Sequence, residues 1–251
     1  KELGISKRRE ASRSRIITFN DGLPSLVDTY DIQNGNVPKG SIAVLKLSGV
    51  MRSNDSLSTP GINSLISDLR DAYQSQKIDG VIMEVDSGGG ESIAGTKLAS
   101  AIGERNKPVV ILGHFVGSAA YRAAAAADEV IASGSGAEFG SIGTMVTIDS
   151  ALLKNYRDRF IDFYGTDAPK KNEGFRNAQV GNYAAIQQRV DELTLNFHNE
   201  IKAARKLTGD VQDTLSGAMF TAANAKDRGL VDLIGNMNDA VKRVMTLKKK
   251  Y

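Results

Sequence analysis

Pro108 to Asp128, PVVILGHFVGSAAYRAAAAAD, is the stretch on which the reading of the fold turns. Val109 to Leu112 is an apolar, β-branched run suited to a buried strand, and AAYRAAAAA after Ser118 is dominated by the strongest helix-forming residue. Between them Gly113 and Gly117 frame a turn, with Ser118 at its far lip. A serine at a strand-to-helix turn is lifted out of the sheet and set over a helix N-terminus, where free N–H groups and the macrodipole favour negative charge. The competing reading is plainer: serine is among the preferred N-caps, and Ser118 then does no more than start a helix.

Working outward from this stretch, Val81 to Val85 (VIMEV) is a second apolar strand that runs into Asp86-Ser87-Gly88-Gly89-Gly90, and a helix carrying Ile93, Leu98 and Ile102 follows. Further upstream, Ser41 to Leu47 (SIAVLKL) is a strand, and Ile62, Leu65, Ile66, Leu69 and Tyr73 fall on one face at helical spacing. Strand, helix, strand, glycine-rich turn, helix, strand, turn, helix is an α/β order. It predicts a largely parallel sheet with its functional turns at one edge. Residues 1–38 are polar, lack periodicity and end in NGNVPKG, which predicts a flexible N-terminal arm.

On the C-terminal side, Glu129 to Ala132 reads as a short strand, and a turn-rich loop ends in Gly140-Ser141-Ile142-Gly143. Thr144 to Ile148 alternates like a strand, and Phe160 to Tyr164 is a further apolar and aromatic piece. Tyr183, Ile186, Val190, Leu193, Phe197 and Ile201 then form one helical stripe, suited to core packing or in part to a subunit seam. Phe220 to Asp232 holds a short helix capped by Gly229, and one more helix leads to a basic tail over 246–251.

Composition narrows the chemistry. The 251 residues are 41% hydrophobic, as in an ordinary soluble globule, and without cysteine there is no disulfide, thiolate nucleophile or Cys-ligated metal. Clustered metal-ligand spacing is missing too, so neither metal nor cofactor is expected. The net charge of +3 sits largely at the ends, in Lys7-Arg8-Arg9 and Lys248-Lys249-Lys250, which read as solvated tails rather than a nucleic-acid footprint. No apolar run is long enough to span a bilayer, and there is no signal-peptide h-region.

Three consecutive glycines after a strand admit a phosphate cradle, a tight turn needing positive φ, or an oxyanion hole whose amides face a substrate carbonyl. The first is disfavoured, because the chain lacks GxxxxGK[ST] and this turn lacks GxGxxG. A candidate nucleophile one strand later favours the third. A serine hydroxyl needs a base. His114 lies on the same turn as Ser118, where the chain would have to double back, and His198 sits beside Phe197 as a structural or exposed histidine. That leaves lysine, which serves as a base only where a shielded site lowers its pKa from about 10.4 toward 7 to 8, a cost of about 4 kcal/mol. Lys170 or Lys171, behind Ala168-Pro169 and an aromatic segment, is compatible with that demand. Lys97, Lys107 and Lys154 fall in segments that read as exposed.

Taken together, Gly-Gly-Gly after an apolar strand, SAAY before an Ala-rich helix, GSIG, the lysine after Ala168-Pro169 and the late AKDRGLVD resemble the signal peptide peptidase A family of serine peptidases. The resemblance covers about residues 40 to 235. It implies Ser118 as nucleophile, Lys170 rather than Lys171 as general base some fifty residues later, Gly89 and Gly90 as oxyanion-hole residues, and counterparts of the family's tyrosine and aspartate at Tyr121 and Asp128. It implies the ClpP/crotonase-like spiral of ββα units, assembled into rings in which serine and lysine can come from neighbouring subunits. A single peptidase domain over 39–245 is expected on that basis. The chain departs from the family's N-S-P-G-G and S-G-G-Y forms. Its S-A-A-Y, with Gly174 soon after the lysine, is more similar to the phage prohead and capsid maturation branch, whose members cut scaffold and capsid proteins in the host cytoplasm inside the prohead.

The function expected is therefore a serine endopeptidase with a Ser118/Lys170 dyad acting on a polypeptide substrate, in a homo-oligomer. One alternative is a bacterial signal-peptide peptidase, membrane-associated through an anchor outside this chain. A second, from a different class, is a non-catalytic ring that binds scaffold. A crotonase-like acyl-CoA enzyme shares the oxyanion logic but has no use for a serine-lysine pair.

Overall fold

Three apolar runs become the adjacent parallel strands β3 (Ser41–Ser48), β4 (Ile78–Ser87) and β5 (Val109–Gly117) of a nine-stranded sheet. All three are buried over most of their length on both faces, which is why they read as unbroken rather than alternating runs. This computed structural model describes residues 15–20, 23–28, 37–54 and 61–251. The sheet continues through β6 (Glu129–Ala132) to the short β9 (Leu233–Ile234), both parallel to β5. At the other edge β1 (Arg15–Asn20) pairs antiparallel with β3 and with β2 (Leu23–Asp28).

One face of the sheet is covered by α9 (Met237–Leu247), whose Ala240, Val241, Val244 and Leu247 join Ile42, Val44, Ile82, Val110 and Ile131 in one core. Three crossover helices follow the strands: α1 (Ile62–Gln74) packs on β3 and β4, α2 (Ser92–Gly103) packs on α1, and α3 (Ala119–Ala125) packs on α2 and β5. The strand that matters most forks. Val110 to Gly113 of β5 pairs with β6; the register then skips His114, and Phe115 to Gly117 pairs with β7 (Glu138–Gly140) instead. Ser118 sits at the end of that diverging arm, where the sheet splits. β8 (Met219–Thr221) closes the far side of β7 antiparallel, ahead of α8 (Ala222–Asp227).

The chain divides into two compact units, one made of the residues up to Ile142 and from Glu200 on, the other of Gly143–Asn199. The second unit contains α4 (Ser150–Arg159) and α5 (Glu173–Gln179), and the boundary falls within α6 (Ala184–Ala204); α7 (Val211–Thr214) follows in the first unit. Residues 39–245, over which one peptidase domain is expected, take in all of the second unit and most of the first. The strand expected at Thr144 to Ile148 is irregular backbone with exposed side chains, since nothing pairs with it among the described residues. Met145, Ile161 and Phe163 are 81%, 84% and 93% exposed, and an apolar cavity in this unit is lined by Val146, Ile148, Leu152, Phe175 and Ile186.

Part of the supposed arm is the β1–β2 hairpin, with Ile16 and Ile17 buried and Ile17 opposite Ile42; the rest of 1–38, apart from Val37 and Pro38, lies outside the described residues. A two-residue apolar signal finds cover only through long-range pairing, which local pattern does not reveal. The lysines of the basic tail, Lys248, Lys249 and Lys250, are exposed, and the segment is anchored at two of its residues. α9 starts with a capping box from Asn236 and Asp239, Lys248 pairs with Asp79, and the Tyr251 hydroxyl donates to Asp128 Oδ1 at 2.9 Å.

Candidate active site

Ser118 joins β5 to α3 with φ 50° and ψ −122°, a conformation that costs a non-glycine residue on the order of 1–3 kcal/mol and persists only when its surroundings enforce it. Here the Ser118 N–H donates to the Gly140 carbonyl at 2.9 Å, extending the β5–β7 ladder, and its carbonyl accepts from the Arg122 N–H at 3.0 Å, the first bond of α3. Ser118 occupies the N-cap position, yet its side chain makes no capping bond. The plain capping role therefore does not account for it. The half-buried hydroxyl is left available. The helix behind it is shorter than the alanine run suggests, ending at Ala125, so the dipole contribution expected from it is small.

The glycine turn abuts this serine. Gly89 has φ +93°, and a Cβ built there would lie 2.7 Å from the Ala119 nitrogen, 2.8 Å from the Gly117 oxygen and 3.0 Å from the Ser118 Cβ. The Gly89 N–H donates to Ser87 Oγ at 3.1 Å, and Ser87 Oγ in turn donates to the Gly49 carbonyl at 2.6 Å. Gly90 has φ +155° and forms a parallel bridge with Met51. The bridge uses the Gly89 carbonyl (2.8 Å from the Met51 nitrogen) and the Glu91 N–H (3.0 Å to the Met51 carbonyl), so the Gly90 amide faces the other way. The structure thus brings Ser118 and Gly89 together, with Gly90 adjoining. It also exposes a group that pattern reading missed: the Ala119 N–H, the amide directly after the serine, which in a nucleophile elbow faces the reacting carbonyl.

Lys170 lies in the second unit, in the turn before α5. The turn is held by Arg176, which donates to the Pro169 carbonyl and stacks over the Tyr164 ring at 4.6 Å. Both Lys170 and Lys171 are exposed. The shielded setting expected for a base is not supplied at this turn, because its apolar neighbours, Phe163 above all, point into solvent. Lys107, read as exposed, is instead half-buried: it donates to the Ala72 carbonyl at 2.8 Å, and burial lowers its pKa against the pull of Asp79. Ser118 lies eleven positions further along the chain at the other end of β5, about 36 Å away at strand rise, so Lys107 does not serve this serine.

The remaining candidates are structural. The Tyr121 hydroxyl, fully buried and with its pKa pushed up by that burial, donates to the Leu230 carbonyl at 2.9 Å. Asp128 accepts from the Val109 N–H at 2.8 Å and pairs with Arg105 at 3.0 Å, pinning the start of β5. His114 Nδ1 is turned toward Ser133 Oγ at 3.4 Å. Among the described residues there is no cluster of His, Cys, Asp and Glu able to hold a metal, and no helix long and apolar enough to cross a membrane.

The family model described as Peptidase family S49 matches residues 101–250. Capsid assembly protease C of Escherichia phage lambda is 25% identical over 243 residues, covering 93% of this chain and 54% of that protein. Protease 4 of Haemophilus influenzae is 26% identical over 258 residues, covering 94% and 39% respectively. The chain therefore spans about half or less of the length of these relatives. Similar solved structures include ClpP1 from Listeria monocytogenes, with a TM-score of 0.45 at 16% identity over 78% of this chain and 92% of that one. An enoyl-CoA hydratase/isomerase family protein from Silicibacter pomeroyi gives a TM-score of 0.49 at 16% identity over 85% and 81%.

Proposed function

Because this chain belongs to peptidase family S49, we propose that it is a serine endopeptidase in which Ser118 is the nucleophile and Lys170 the general base. The observation that carries this reading is Ser118 itself, held at positive φ with its hydroxyl unused as a cap and Gly89 packed against it. Ser118 Oγ attacks the peptide carbonyl carbon while its proton passes to the neutral Lys170 amine. The resulting oxyanion takes hydrogen bonds from backbone amides of the glycine turn, Gly89 and Gly90, and from Ala119. For Gly89 this requires exchanging the Ser87 hydroxyl for the substrate oxygen. Lys170 then returns the proton to the departing amine, leaving an acyl-enzyme on Ser118 that water hydrolyses. One oxyanion donor is worth about 10²–10³ in kcat in comparable sites.

An exposed lysine is a poor base, so Lys170 needs cover from outside its own turn. A second copy of the chain is the proposed source, in a ring whose active sites are shared between neighbours. The second unit supports this: ten of the 16 large hydrophobic residues that are exposed among those described lie between Met145 and Leu195. A solvated apolar surface of that extent marks an interaction face. Within this class the S-A-A-Y form at Ser118, together with similarity to the lambda capsid assembly protease along 93% of the chain, supports a head-maturation role, with scaffold or capsid protein as substrate and the host cytoplasm as its place of action.

Mixing tests the shared site. Ser118→Ala and Lys170→Met proteins, each inactive alone, regain peptidase activity when co-assembled if the two groups meet across a subunit boundary. Restored activity in the mixture is the expected result; a mixture as inactive as its components, with assembly intact, refutes the shared site.

A further inference from the structure

We infer that Arg122 is a positioning residue that holds the Ser118 turn at its working distance from the glycine turn; this rests on Ser118 being the nucleophile. The arrangement begins with α2 and α3 crossing in close contact. Gly95 makes this possible, since a Cβ there would lie 2.7 Å from the Ala119 oxygen and 2.9 Å from the Ala119 Cβ. One helical turn beyond Ser118, the Arg122 guanidinium lies across that crossing and is only 6% exposed. Its Nη1 donates to Ser92 Oγ at 2.8 Å and to Thr96 Oγ1 at 3.1 Å, and its Nε lies 2.8 Å from Glu200 Oε2 on α6. Ser92 is the first residue of α2 and follows Gly90 by only two positions. One side chain therefore ties the helix that starts at the nucleophile to the helix that starts at the glycine turn, and both to α6.

Stability alone does not explain such a residue. Burial pulls the Arg122 pKa down, with Glu200 opposing it, and a buried ion pair is often matched in stability by an apolar side chain of similar volume. A methionine fills comparable space. What methionine cannot do is fix the separation of two turns through directed bonds to Ser92 and Thr96 and a charge pair with Glu200, and attack on a bound carbonyl is steeply sensitive to that separation.

The test compares wild type with Arg122→Met, Arg122→Lys and Glu200→Gln. Three quantities are measured: the second-order rate of Ser118 phosphonylation by a fluorophosphonate, kcat and KM on one peptide substrate, and the melting temperature. For folded Arg122→Met the phosphonylation rate and kcat fall by roughly 10–100-fold with KM within about two-fold, and Arg122→Lys recovers part of the loss. A folded Arg122→Met with wild-type rates and only a lower melting temperature overturns the inference. Should Arg122→Met fail to fold, Glu200→Gln decides, because Glu200 is about half exposed and tolerates the change. A fall of about 3–10-fold supports positioning and wild-type rates overturn it. A wild type that takes no label at Ser118 overturns the nucleophile assignment and this inference with it.

Discussion

Replacing Gly89 with alanine probes the contact between the two turns most sharply. The added Cβ lies 2.7, 2.8 and 3.0 Å from the Ala119 nitrogen, the Gly117 oxygen and the Ser118 Cβ, against ordinary contacts that begin at 3.4 Å. None of the three is the end of a flexible side chain. The nucleophile turn therefore has to retreat by about 0.5 Å or more, an overpacking strain on the order of 1–3 kcal/mol. The φ of +93° adds a backbone penalty to alanine of similar size. A displacement approaching 1 Å in a reacting group is worth up to about 10²-fold in rate. The overpacking strain and the backbone penalty together, about 2–6 kcal/mol, lower the melting temperature by roughly 4–24 °C. Both are read from fluorophosphonate labelling kinetics and a thermal melt, with Gly134→Ala as control, since a Cβ at Gly134 meets nothing within 4 Å. A Gly89→Ala protein that labels and melts like wild type refutes the packing argument.

The other predictions concern strain and anchoring. Ser118→Gly relieves a positive φ that Ser118→Ala retains, so the glycine variant melts higher than the alanine variant by about 2–4 °C; equal melting temperatures contradict stored strain at this position. Tyr251→Phe removes the hydroxyl that bonds Arg105 and Asp128, each at 2.9 Å, and is expected to cost about 1–2 kcal/mol in a denaturant titration while leaving kcat unchanged. No stability change there means that Tyr251 does not dock in solution.

The α/β order was legible because it rests on runs such as VIMEV and VVIL, whose burial on both faces leaves an uninterrupted apolar signature. Ser118 was legible as a turn residue between strand and helix. What could not be read was its backbone angle, its unused cap position, or the fork that sends Phe115 to Gly117 to β7, since these depend on Gly140 and Gly89, distant in sequence. Arg122 escaped notice for a similar reason. Within an alanine run it reads as a solvated charge, and only the crossing of α2 over α3 buries it. The pairing of β1 with β2 and β3 and the docking of Tyr251 likewise depend on partners that local pattern does not name. Lys170 is the converse case: local sequence offered Lys170 or Lys171, resemblance chose between them, and the surroundings of Lys170 in the chain do not supply the shielding a base requires.

The most direct test of the Ser118/Lys170 dyad is intact-mass spectrometry of the assembled protein after exposure to a fluorophosphonate, with Ser118→Ala and Lys170→Met alongside. The wild type is expected to carry one adduct per chain on Ser118 and Ser118→Ala none, and Lys170→Met labels about 10²–10⁴-fold more slowly with folding and assembly unchanged. A wild type that stays unmodified, or a Lys170→Met protein that labels at the wild-type rate, contradicts the dyad.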